Sequence, residues 1–399
     1  MSFFESFWAR AVDFVWGVPM VILLISAGAY FTIAGRFMPF RGLRHSLDIL
    51  RGKLDNPDDP GEISHFRALS SALSATIGMG NISGVAIGIT LGGPGAVFWM
   101  WIAGLVGMST KFFTCTLACL YRKKDQRGIE QGGPMYFIEV GLGKWFKPLA
   151  VMFAVCGMVG CLALFQVNQL SGLLNKYWSI DELATGLVCM VLVGIVILGG
   201  IVRVGQVTSK VVPAMFVIYV SAALYIIFSN INTIPSLLKL IVTSAFGERP
   251  FFYGMLGLAF REVLVNGIKR AAFSNEAGIG TAPMAHGAAK TKEPVREGLI
   301  AMLGPFLDTN LVCTMTALVL LVTGVPPAED GVVMTVSAFQ SAIPNFGLYV
   351  MTLIIVMFSV STMISYSYYS LKCSRYLFGY KFGSYYVSVS YTHLTLPTN

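Results

Sequence analysis

Charge is scarce in this sequence: only 12% of its 399 residues are Asp, Glu, Lys or Arg, against about 25% in ordinary soluble domains. Too few charged side chains exist to clothe a water-soluble globule of this length, which excludes a soluble enzyme, a disordered tail and a coiled coil. Histidine is scarcer, with four copies. No His-Glu-x-x-His, Gly-x-Ser-x-Gly or phosphate-loop pattern occurs, so a membrane enzyme would have little acid–base machinery. The seven cysteines fall within or at the ends of apolar runs and read as small buried hydrophobes rather than a disulfide framework. Cys115 and Cys119 share a helix face, but no nearby His or Cys completes a metal set.

What is abundant points to a bundle of membrane-spanning helices: 55% hydrophobic residues, 13% aromatics and 42 glycines, with close helix contacts needing small residues and interfaces favouring aromatic ones. Apolar runs of spanning length are expected at 16–37, 66–90, 96–120, 148–170, 183–202, 211–229, 251–285, 298–323 and 346–371, nine crossings in all. Shorter runs at 234–246 and 332–343 predict half-length external helices. Residues 1–15 set Glu5, Arg10 and Asp13 against an apolar face and predict an interfacial amphipathic helix, ahead of a transport domain over 16–387. The last stretch, 388–399, departs from the apolar style before it and reads as a non-native tail.

The formal charge of +8 might suggest nucleic acid, but topology accounts for it. Of the 28 Lys and Arg, 20 fall in 35–67, 121–147, 203–210, 286–296 and 372–381, and four on the opposite side. This predicts an external N-terminus, basic cytoplasmic loops and a multi-pass protein of the bacterial or archaeal inner membrane, with the lipid bilayer as partner and no nucleic acid.

Two spans contain what a plain anchor avoids. Ser74–Gly84 (SATIGMGNISG) sets Gly78, Gly80 and Gly84 among Thr76, Asn81 and Ser83. Phe273–Pro283 (FSNEAGIGTAP) sets Gly278, Gly280 and Pro283 beside Ser274, Asn275 and Glu276. Unsatisfied backbone groups in hydrocarbon cost several kcal/mol each, so such breaks survive where protein, water or ligand replaces the lost bonds. Five spans separate the two starts, the odd number that inverts a second repeat, as in inverted-repeat transporters with a midplane site. A broken helix offers N–H groups to a carboxylate, here around Gly78 to Asn81. It also offers carbonyls to Na⁺ or an amine, here near Thr76 and Asn275. The bland alternative for either break is close small-residue packing.

At these residues the chain resembles a known family. GGPGAVFWMWIAGLVG (92–107), QGGPMYFIEVGLG (131–143) and FSNEAGIGTAPMAHGAA (273–289) resemble the alanine or glycine:cation symporters, also called sodium:alanine symporters. The resemblance implies an all-α, five-plus-five inverted-repeat bundle like that of the bacterial leucine transporter, with one extra N-terminal helix, and sodium-coupled uptake of a small neutral amino acid. Nine crossings are two fewer than it implies, so the last core helices are expected to be missing at the C-terminus.

Carried over by position, Thr76, Gly78, Gly80 and Asn81 match the first broken segment, a carboxylate and sodium site. Asn275, Gly278, Ile279 and Gly280 match the second, with Glu276 either a ligand or a structural acid paired with Lys269 or Arg270. Gln166 and Asn168 match polar positions that close the pocket from the side. Ser361 and Thr362 match a pair completing sodium coordination with Thr76 and Asn81. Tyr366 stands where the family is expected to carry Trp. Asp308 is open to the same two readings as Glu276, His286 is expected at the surface, and Phe98, Trp99 and Trp101 are expected to pack. Proton coupling and, more remotely, an ion channel are the rival functions.

Overall fold

The computed structural model describes residues 3–125, 127–246, 260–326 and 331–395. Among them six helices are long and apolar enough to cross a bilayer: Ser6–Ala34, Gly95–Leu120, Lys144–Trp178, Gly200–Ser229, Pro294–Thr323 and Gly347–Lys381. A seventh span is the pair His65–Thr76 and Gly80–Gly92, bent by 52°.

Two expected crossings differ. The run at 183–202 is the sixteen-residue helix Glu182–Ile197, about 24 Å long at 1.5 Å per residue. Gly200, at φ 64°, then turns the chain into the next helix. For the run at 251–285, residues 251–259 lie outside the described residues; the helix is described over Phe260–Asn275. The stretch 203–210, expected as a basic loop, is helical instead. Gly200–Ser229 begins ahead of it, and Arg203 donates back to the Ile195 carbonyl at 2.8 Å, satisfying the end of the preceding helix. The half-length runs form the short helices Ile234–Ser244 and Gly331–Ala342.

Helix Gly95–Leu120 packs on the N-terminal helix Val18–Ala34, on Phe260–Asn275 and on Pro294–Ala301. The long helix beginning at Gly347 packs on His65–Thr76, Lys147–Gly160 and Glu182–Ile197. Leu187, Val188, Val191, Leu192 and Ile195 stay exposed on Glu182–Ile197, an apolar outer face suited to lipid. Six cysteines are buried, Cys156 is exposed, and all seven are free.

One end of the bundle is tied by backbone. Residues 60–63 meet 288–291 through Glu62 N–H to Ala288 O at 2.8 Å, Lys290 N–H to Ile63 O at 2.7 Å and Thr291 N–H to Pro60 O at 3.0 Å. Arg122 brackets this seam, donating to the Pro60 and Ala289 carbonyls. Beneath it lies a correction to the sequence reading. His286 is 1% exposed rather than at the surface, and its Nδ1 lies 2.5 Å from Glu297, whose other oxygen meets His65. An imidazole enclosed by apolar neighbours needs such a partner.

Candidate functional site

Helix His65–Thr76 closes with Ile77 N–H to Leu73 O at 2.7 Å, and Ile77 then turns extended at ψ 95°. The chain resumes as a π-helical turn over Gly80–Gly84 and continues as helix Val85–Gly92. Asn81 holds this break together. Its Oδ1 accepts the Gly78 N–H at 2.8 Å, and its Nδ2 donates to Asp308 Oδ1 at 2.7 Å and Ser274 Oγ at 3.1 Å. The Asn81 carbonyl accepts from Thr316 at 2.8 Å. One fully buried amide thus joins both broken segments to the span carrying Asp308.

Gly78 is required by close approach: a Cβ there would lie 2.4 Å from Thr362 Oγ1. That hydroxyl is buried and has no hydrogen-bond partner among the described residues. Neighbouring Ser361 donates to its own helix, at Phe358 O, 3.0 Å. Thr76 Oγ1 makes only long contacts, 3.4 Å, to Ala72 O and Leu73 O. Gly80 abuts the other break, where a Cβ would stand 3.3 Å from Ser274 Cα.

The second break has a different build. Helix Phe260–Asn275 ends in a stretch where Glu276, Gly278 and Gly280 all take positive φ, 54°, 93° and 95°, a region costly to any residue with a Cβ. Asn275 caps it, accepting from Ala277 N–H at 2.9 Å and donating to Thr309 Oγ1 at 2.9 Å. The Glu276 carboxylate accepts from Thr281 and Tyr366 hydroxyls rather than pairing with Lys269 or Arg270.

The structure therefore brings Thr76, Gly78, Gly80, Asn81, Asn275, Ser361 and Thr362 to one region and leaves others outside it. Gly278 faces the N-terminal helix, where a Cβ would meet Leu24 at 2.5 Å, and Gly280 faces Phe153 and Pro134. Ile279 is 38% exposed. The left-handed turns aim these three away from the first break. Gln166 is buried, next to Phe165, whose ring packs on Phe273 at 5.7 Å. Asn168, two residues further on, is rotated about 200° around the helix and is exposed. Tyr366 reaches the region through Glu276. Trp101 packs and donates to Thr314 at 2.7 Å.

Sequence reasoning gave no site role to Ser274, Thr309, Cys313 and Thr316, and left Asp308 open. Asp308 accepts from Asn81, Ser274 and Thr309 and is fully buried. Its signal was an acid inside the apolar run 298–323; the hydroxyls gave none, since Ser and Thr in membrane helices usually bond their own backbone.

Comparison with known proteins bears on this arrangement. The model of the Sodium:alanine symporter family matches residues 1–396. An uncharacterized transporter of Haemophilus influenzae is 41% identical over 380 residues, 94% of this chain and 83% of the relative. The sodium/alanine symporter AgcS of Methanococcus maripaludis is 41% identical over 379 residues, 92% and 83% of the two chains. The probable sodium/glutamine symporter GlnT of Bacillus subtilis is 34% identical over 385 residues, 94% and 79%. In fold, the chain is similar to MhsT in complex with L-phenylalanine, with a TM-score of 0.58 at 13% identity over 84% of this chain and 79% of that one. It is also similar to a Na⁺-coupled sialic acid symporter, with a TM-score of 0.56 at 12% identity over 94% and 81%. The chain belongs to the sodium:alanine symporter family and is a leucine-transporter-like, multi-pass sodium-coupled amino-acid symporter of the plasma membrane, not an enzyme.

Proposed function

We propose that this symporter carries a small neutral amino acid, alanine or glycine, into the cell with sodium, and that both bind where the two breaks meet. The observation that carries the reading is the Thr362 hydroxyl, buried close against Gly78 with no hydrogen-bond partner among the described residues. A hard cation prefers oxygen ligands. Thr362, Ser361, Thr76 and carbonyls released at the first break would supply them, with Asn81 holding the break in shape. The amino-acid carboxylate would approach N–H groups between Gly78 and Asn81, with Gln166 and Asn275 flanking and Tyr366 limiting side-chain size. AgcS is named for sodium and alanine and GlnT for glutamine, so substrate size is the finer question. The direction of the chain follows the distribution of basic residues: an external N-terminus and a cytoplasmic seam between 60–63 and 288–291.

A tenfold sodium gradient gives about 1.4 kcal/mol and a 100 mV potential about 2.3 kcal/mol per charge. With one sodium per neutral zwitterion, that supports roughly 500-fold accumulation. The test is labelled alanine uptake into proteoliposomes with and without an inward sodium gradient, with unlabelled glycine and glutamine as competitors. Sodium-dependent uptake blocked by glycine and not by glutamine is expected. Equal uptake with a proton gradient alone would give the proton-coupled reading, and competition by glutamine would overturn the small-substrate one.

A further inference from the structure

A cavity of about 930 Å³ opens beside the hairpin that pairs Lys123–Lys124 with Glu130–Gln131. Its walls come from that hairpin, the last turns of the helix beginning at Gly347, the start of helix Lys147–Gly160 and the turn at Gly199 and Gly200. Two chemistries face each other across it. On one side, six Lys and Arg stand against three Asp and Glu among the described residues. The Arg127 guanidinium lies 3.9 Å and that of Arg375 4.7 Å from the centre of the Tyr380 ring, so one aromatic side chain fixes two cations as neighbours. Arg127 also donates to the Tyr380 hydroxyl at 3.0 Å and to Asp125 at 3.2 Å. Paired guanidinium groups held in this way match the oxygens of a phosphate.

The other side is apolar and continues onto the outer surface. Leu198 and Val202 line the cavity, and Leu198 is 73% exposed. Leu187, Val191, Ile195 and Leu198 share one face of the helix Glu182–Ile197 and its cap, and all four are exposed. From Leu187 to Leu198 this stripe rises about 16 Å at 1.5 Å per residue, half of a hydrocarbon core roughly 30 Å thick. The lipid-facing surface therefore runs straight into the basic cavity. Tyr136, Tyr376 and Tyr380 line the cavity at the same end, where headgroups favour aromatic residues with a polar tip. A soluble anion would leave the apolar wall unused, and an uncharged apolar molecule would leave the excess of cations unanswered. An anionic lipid satisfies both at their observed spacing.

We propose that this cavity binds an anionic phospholipid of the cytoplasmic leaflet, its phosphate at Arg127 and Arg375 and an acyl chain along Leu187, Val191, Ile195 and Leu198. The lipid ties the hairpin and the helix beginning at Gly347 to Glu182–Ile197. The choice of leaflet rests on the orientation proposed above; the binding itself does not.

The test is native mass spectrometry of the purified chain titrated with phosphatidylglycerol, with phosphatidylcholine of the same acyl chains and with glycerol phosphate as competitor. Phosphatidylglycerol is expected to bind at least about tenfold more tightly than phosphatidylcholine, without displacement by glycerol phosphate. Arg127→Gln/Arg375→Gln is expected to erase that preference, while Lys239→Gln, at an exposed lysine of helix Ile234–Ser244, keeps it. Equal affinity for the two lipids in wild type, or an undiminished preference in the double variant, overturns the proposal. Displacement by glycerol phosphate overturns it in favour of a soluble anion. Should the double variant fail to fold, Lys147→Glu changes only an exposed side chain at the cavity; it is expected to cut the preference at least about threefold, and no change overturns the proposal. Labelling of Lys124→Cys above the wild-type level by an impermeant thiol reagent outside sealed cells would instead overturn the leaflet and the orientation behind it, which separates the two failures.

Discussion

Between Thr76 and Val85 the chain leaves the helix for a few residues and re-enters through a π-helical turn with every residue buried, whereas between Asn275 and Ala282 it runs through three left-handed residues and reaches the surface at Ile279. The first break is held by one amide, Asn81, and at Gly78 it lies close against Thr362. The second is braced outward, with Gly278 on Leu24 and Gly280 on Phe153. The two inverted repeats thus use similar Gly-rich segments for different work. One is enclosed in the core and held by Asn81, and the other joins the core to its surrounding helices, meeting the partners of the first break through Ser274 and Asn275.

Four substitutions sharpen or break this contrast. Asn81→Ala carries the largest effect: it strands the Gly78 N–H and removes a donor from buried Asp308, a loss of about 3–5 kcal/mol by analogy with broken buried charge networks. Uptake should fall at least about a hundredfold with a clear drop in melting temperature; wild-type uptake would show that the first break is only a packing feature. Gly280→Ala places a Cβ 2.9 Å from Phe153 at φ 95°, costing about 1–3 kcal/mol. It should lower stability while leaving sodium affinity within a few-fold, and a selective loss of sodium affinity would contradict the outward-bracing role.

Asp125 gives a smaller effect far from both breaks. Burial alone would raise its pKa, but the Ile129 and Arg127 amides and the Arg127 guanidinium hold it below the usual carboxylate value. Its folded pKa is depressed, so its contribution to the hairpin pairing Lys123–Lys124 with Glu130–Gln131 is present above the unfolded pKa and lost as pH falls through the folded one. Asp125→Asn should cost about 0.5–1.5 kcal/mol, read as faster amide exchange at Ile129, with uptake unchanged. Gly84→Ala is the smallest: its nearest neighbour to a Cβ is Phe273 at 3.9 Å and its φ is −61°. The expected change in stability is under about 1 kcal/mol, in the stabilising direction, and a large loss of stability would show that the π-helical turn needs glycine.

Seven of the nine expected spans and both breaks were legible because hydrocarbon imposes length and backbone satisfaction on any sequence. Gly78 and Asn81 announced themselves as a breaker and a polar group at membrane depth. Which way each second-break glycine faces was not legible, since φ values of 93° and 95° at Gly278 and Gly280 redirect the chain without changing residue types. Asn168 went astray through helical phase, because placing Gln166 inward turns it outward. His286 was misread because its partners, His65 and Glu297, come from distant segments.

The measurement that reaches furthest into this account is the alanine affinity of purified wild type and Thr362→Val, each with saturating sodium and with none. If the cation and the nutrient bind together at the first break, sodium tightens alanine binding at least about tenfold in wild type and that gain disappears in Thr362→Val. An equal sodium effect in both proteins would contradict it.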